Sequence, residues 1–180
     1  MRELATAPRI RALMRALGER AKGPGRIYLV GGATAVLVGW RETTKDVDIK
    51  LDPEPAGVFE AIRDLKDELS LNIELAAPDQ FIPAVPGWRE RSQFIDSAGG
   101  VEFFHYDPLS QALAKIERGH AQDLLDVEQL VVRDLVTTRQ VRDGFDAIRD
   151  QLLRYPGLDA DSFAAKVDEA MGRLEGSTDG

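Results

Sequence analysis

The chain has 180 residues, 43% hydrophobic and 30% charged, with a net charge of −8. This length suits one compact domain with a helical annex, and the composition can bury a core of useful size. Zero cysteines exclude a disulfide framework, a thiolate nucleophile and cysteine-ligated metal, and His105 and His120 are too few for a multi-histidine site. The opening MRELATAPRI lacks the apolar stretch of a secretory signal. No apolar run approaches the roughly 18 to 20 residues that span a bilayer, so the expectation is a cytoplasmic protein with no membrane partner.

The charge is unevenly placed. Residues 1–30 hold seven Lys or Arg against Glu3 and Glu19, a balance of +5, which leaves −13 for the rest of the chain. Such a segment suits either a basic edge that meets nucleic acid or a solvated helix face. The total charge of −8 favours a small or protein partner over a polyanion.

Ile10, Leu13, Met14 and Leu17 recur at helical spacing, which predicts a helix over 7–22 stopped by Gly23-Pro24-Gly25. Residues 26–30 read as a buried strand ended by Gly31-Gly32, and 33–39 as a helix of small and apolar residues. Residues 47–51 alternate as a second strand, 55–69 form a helix with Val58, Ile62, Leu65 and Leu69 on one face, and 72–75 return as a strand. Residues 92–95 and 101–106 form a hairpin around a spacer over 96–100, and the chain between Pro83 and Arg91 reads as a loop in which Trp88 and Arg89 are placed to stack on a base. Helices are predicted over 108–118, 121–136, 139–153 and 159–174, with EGSTDG as a frayed tail. The expected fold is α+β: residues 1–106 make a small mixed sheet flanked by helices, and 107–180 a helical region packed on it.

The stretch from Leu29 to Ile49 carries the chemistry. A strand ends in two glycines that open a helix, so backbone N–H groups can approach an anion with no Cβ in the way. Asp46 and Asp48 flank Val47 on the next strand, and positions two apart on a strand face the same way. Two carboxylates on one face make a hard oxygen site for Mg²⁺. A phosphate cradle beside a divalent-ion site is equipment for nucleotidyl or phosphoryl transfer. The motifs of dinucleotide-binding folds, P-loop NTPases, serine hydrolases and zinc proteases are absent. His105, between Phe104 and Tyr106, reads as a structural or substrate-edge histidine, and His120 as a helix-boundary residue.

Gly-Gly opening a helix, followed by a strand bearing Asp-x-Asp, resembles the signature of the nucleotidyltransferase superfamily typified by DNA polymerase β. The pattern is most similar to the bacterial branch of AbiEii-type abortive-infection toxins and their relatives, in which an Arg and a Ser or Thr precede the aspartates; Arg41 and Thr44 stand there in this chain. The resemblance implies a polymerase-β-like fold and a reaction that moves an NMP from an NTP to an acceptor hydroxyl. It gives Asp46, Asp48 and Glu74 the roles of metal ligands and catalytic carboxylates around two Mg²⁺ ions. Gly31, Gly32 and Thr44 would bind nucleotide, with Lys115 on the triphosphate and Asp123, rather than Asp126, assisting. The implied acceptor is RNA, such as a tRNA end, or a protein, with an antitoxin as a further partner. A non-catalytic binding protein that keeps the fold, and a small-molecule nucleotidyltransferase of the aminoglycoside type, are the alternatives.

Overall fold

The computed structural model describes residues 1–178. The elements in order are β1 (Ala5–Thr6), α1 (Ala7–Arg20), β2 (Gly25–Val30), α2 (Gly32–Val38), β3 (Thr43–Thr44), β4 (Asp46–Leu51), α3 (Val58–Glu68), β5 (Asn72–Leu75), α4 (Trp88–Arg91), β6 (Gln93–Ala98), β7 (Val101–His105), α5 (Pro108–Arg118), α6 (Ala121–Val132), α7 (Thr138–Ile148) and α8 (Ala160–Thr178). Helices and a mixed sheet make an α+β architecture, in two compact units. One unit holds residues 1–77 and 92–106, the other 78–91 and the chain from Asp107 onward. Among the described residues, no helix is long and apolar enough to cross a membrane.

The first unit is built on a five-stranded sheet in the order β5-β4-β2-β7-β6. β2 pairs with β4 antiparallel and with β7 parallel, β4 with β5 parallel, and β6 with β7 antiparallel. Period-two alternation sends Ile27, Leu29, Val47, Ile49, Ile73, Val101 and Phe103 to one face, where they form a core with the apolar stripes of α1 and α3. Fully burying one such side chain stabilises by about 1.5–3 kcal/mol. The alternate residues occupy the other face: Tyr28 stacks on Phe104, with ring centroids 5.4 Å apart, and the carboxylates of Asp46, Asp48 and Glu74 project from the neighbouring strands.

Several boundaries differ from the sequence reading for identifiable reasons. Gly57 has φ +83°, so α3 begins at Val58 and not at residue 55. Strand β6 continues through Ala98, with a bulge between Phe94 and Asp96, and the hairpin turns on Gly99-Gly100 alone. Helix α6 ends at Val132 because Asp134 adopts φ +57° and the N–H groups of Asp134 and Leu135 cap the last turn. Helix α8 runs to Thr178, so the expected fray of EGSTDG does not begin at Glu175; its last two residues lie outside the described residues.

The second unit is helical. α5 packs against α6, α7 and α8, and Phe145 meets Phe163 with centroids 4.9 Å apart. Asp107, fully buried, caps α5 by accepting from the N–H groups of Leu109 and Ser110 and from the Ser110 hydroxyl. It also accepts two bonds from Arg91, at 2.9 and 2.8 Å. That bidentate pair fastens α4 to α5.

Candidate active site

Strand β4 presents Asp46 and Asp48 on one face while Val47 and Ile49 enter the core. The parallel register places Asn72 opposite Asp46 and Glu74 opposite Asp48, so all four side chains lie on the same face of adjoining strands. Asn72 Nδ2 donates to Asp46 Oδ1 at 2.6 Å and to Glu74 Oε1 at 2.9 Å. The three carboxylates singled out in the sequence, Asp46, Asp48 and Glu74, lie on this face. Asn72 was not singled out in the sequence, because no motif marks a residue placed by its register partner.

On the other side of β4, Val30 is the register partner of Asp48, and Gly31 follows it. Gly31 has φ +61° and ψ −122°, a conformation that disfavours any residue with a Cβ. A Cβ there would lie 3.5 Å from Asp48 Oδ2, so the bare backbone of Gly31 faces the aspartate. Gly32 packs on Thr44, whose hydroxyl donates to the Asp46 carbonyl at 3.1 Å. Thr44 belongs to β3, which pairs with β1 and holds the chain in place two residues ahead of the first aspartate.

This donor set fits a hard divalent cation in chemistry: two aspartates face one way, with a third carboxylate on the next strand. Among the described residues, no three His, Asp or Glu side chains already converge on one point. In the structure Glu74 is tied to the Asn72 amide.

His105 lies on β7, with Nδ1 3.1 Å from the Thr34 hydroxyl. That hydroxyl donates to the Leu29 carbonyl, which leaves its oxygen able to accept from Nδ1–H of the ring. Burial, aided by the charge of Arg11, lowers the His105 pKa from 6.5 to about 4. The residue is a neutral, packed histidine. His120 is exposed at the N-cap position of α6 and its side chain makes no capping bond.

In the second unit, Lys115 is buried and donates to Asp126 Oδ2 at 2.8 Å, with Asp123 Oδ1 3.7 Å away. Asp123 is bound mainly by Arg118, at 2.7 and 2.5 Å. Burial pushes the Asp123 carboxyl up, but the Arg118 hydrogen bond, the charges of Arg118 and Lys115 and the His120 N–H together hold it below its usual value. Asp126 is thus the direct partner of Lys115.

Trp88 is buried rather than held on an open loop, and the Arg89 guanidinium lies over its ring, 4.3 Å from the centroid. Stacking on a base is corrected accordingly: an apolar ring that a cation covers is already engaged in packing. The basic N-terminal segment is also largely neutralised within its own unit. Arg2 pairs with Asp67, Arg9 with Glu3, Arg20 with Glu68 and Arg26 with Glu102, and among the described residues Arg11, Arg15 and Lys22 have no acidic partner.

The strand that turns through two glycines and returns antiparallel as Asp-x-Asp is the feature that resembles the nucleotidyltransferases, and the family match gives the chain that class. The chain is a member of the family described as nucleotidyltransferase of unknown function (DUF6036), which it matches over residues 8–154. No curated protein and no solved structure matches it.

Proposed function

We propose that the chain transfers a nucleoside monophosphate from an NTP to an acceptor hydroxyl, on a polymerase-β-like fold, with Mg²⁺ at Asp46 and Asp48. The observation that carries this reading is the pair of carboxylates on one face of β4 with the bare Gly31 backbone against Asp48. Bound there, Mg²⁺, as two ions in the arrangement the resemblance implies, supplies charge to the reacting phosphate and the leaving pyrophosphate. Gly31 and Gly32 admit the triphosphate to the main chain. Because α2 has only seven residues, the support comes from the missing side chain of Gly31, the space beside Gly32 being filled by Thr44, and not from a helix dipole. Thr44 fixes the backbone that enters β4.

Glu74 takes the proton of the acceptor hydroxyl or completes the ion's ligands. The acceptor oxygen bonds to the α-phosphorus, the bond from that phosphorus to its bridging oxygen breaks, and pyrophosphate departs with the electron pair. Lys115 and Asp123 enter this reading as nucleotide-binding residues on the strength of the resemblance, with Asp126 orienting the ammonium. A toxin–antitoxin or phage-defence setting, with an antitoxin partner, belongs to the same proposal. The acid partners of Arg2, Arg9, Arg20 and Arg26 weaken the case for an RNA end, and favour a protein hydroxyl.

The test is label transfer from each α-labelled NTP with Mg²⁺ and total RNA or lysate protein as acceptor, beside an Asp46→Ala, Asp48→Ala control. Label on a macromolecule that needs both aspartates supports the reading and names the acceptor. The absence of transfer together with no Mg²⁺·NTP thermal stabilisation overturns it in favour of a non-catalytic binding protein, because a ligand at 100 times its Kd adds about 2.7 kcal/mol.

A further inference from the structure

We infer that Asn72 is a positioning residue of the β4–β5 site, one that gathers Asp46 and Glu74 before any ion arrives and thereby sets the site's affinity for a divalent cation. The inference rests on the reading of Asp46 and Asp48 as an ion site. Asn72 and Glu74 are two apart on β5 and so share a face, and Asn72 stands opposite Asp46 in the parallel register. Its amide nitrogen has two protons and both are used, one on Asp46 Oδ1 at 2.6 Å and one on Glu74 Oε1 at 2.9 Å.

Glu74 is the register partner of Asp48, yet its carboxylate is bonded to the amide that also holds Asp46. One neutral donor therefore draws together two like charges that would otherwise repel across the strand pair. A carboxylate at position 72 would remove the donors and add a third charge. An alkyl side chain would leave both carboxylates free to turn to solvent. Groups that orient metal ligands in this way typically change ion affinity by about 10- to 100-fold when removed.

The experiment is a Mn²⁺ titration of the full chain, read by the spectrum of free Mn²⁺, for wild type, Asn72→Ala, Asn72→Ser and Asn72→Asp, with thermal melts of each apo protein. Asn72→Ala is expected to bind Mn²⁺ about tenfold more weakly or worse while melting near wild type. Asn72→Ser, which retains one donor, should recover part of the loss, a rescue that a purely structural role would not produce. Asn72→Asp should melt lower without the ion and gain more from it than wild type gains. If Asn72→Ala fails to fold, the comparison of Asn72→Ser with wild type decides: equal affinity overturns the inference, and a severalfold loss supports it.

Affinity within twofold of wild type in Asn72→Ala overturns the positioning role and leaves the ion site standing. A wild-type chain that binds no Mn²⁺ overturns both.

Discussion

Gly32 lies so close to Thr44 that a methyl group on its α-carbon would sit 2.7 Å from Thr44 Cβ. The contact joins the start of α2 to β3, two residues before Asp46, so packing alone requires the glycine. Gly32→Ala is expected to cost about 1–3 kcal/mol by overpacking. In a Thr44→Gly background the same change should cost less, because the obstructing side chain is gone. Urea melts of the four proteins in this cycle measure the difference, and equal costs in both backgrounds would refute the contact.

His105 makes stability depend on pH. Its folded pKa, about 4, lies below its ordinary 6.5, so between those values the unfolded chain binds more protons. The native state therefore keeps its full advantage above pH 6.5 and loses it as pH falls toward 4, by up to about 3 kcal/mol. His105→Asn, whose amide nitrogen can replace Nδ1–H toward Thr34, should flatten the denaturant midpoint across that window. A midpoint that falls equally in both proteins would assign the acid sensitivity to other groups.

Asp107 is fully buried and serves both the α5 N-terminus and Arg91. Asp107→Ala removes a helix cap and leaves the Arg91 guanidinium without its carboxylate, for an expected loss of about 3–5 kcal/mol. Arg91→Ala should cost distinctly less, since three donors from Leu109 and Ser110 still satisfy the carboxylate. Calorimetry of both variants checks the order, and a reversed order would place the stabilisation in Arg91's other contacts.

Lys115 and Asp126 separate a structural role from a nucleotide-binding one. Lys115→Met alone strands a buried carboxylate and should destabilise by about 3–5 kcal/mol, whereas Lys115→Met with Asp126→Leu should regain most of that loss. The folded double variant is expected to lose Mg²⁺·NTP-dependent thermal stabilisation. If that stabilisation survives intact, Lys115 is a packing residue and has no part in binding nucleotide.

Much of the first unit could be read from local pattern. The stripe Ile10, Leu13, Met14, Leu17 is the buried face of α1, the alternation of Val47 and Ile49 with aspartates is that of β4, and the two glycines do stand between β2 and α2. In the second unit the capping box of Thr137 with Gln140 starts α7 at Thr138, one residue before the periodicity suggested. Features made by distant partners left no such trace. Two-residue strands β1 and β3 are too short to show a period, and the segment 78–91 joins the helical unit through Arg91 and Asp107, sixteen residues apart.

The sequence by itself determined which carboxylates share a face of β4 and where the glycines fall, because strand alternation and positive φ are properties of a few adjacent residues. Only the tertiary structure decided that Asn72 stands opposite Asp46 and bridges it to Glu74, that Asp126 is the near partner of Lys115, and that most of the N-terminal arginines already hold an acid. Those relations depend on strand register and helix packing, which bring together groups as far as 76 residues apart, as Arg26 and Glu102 are, and no local periodicity records which charge will meet which.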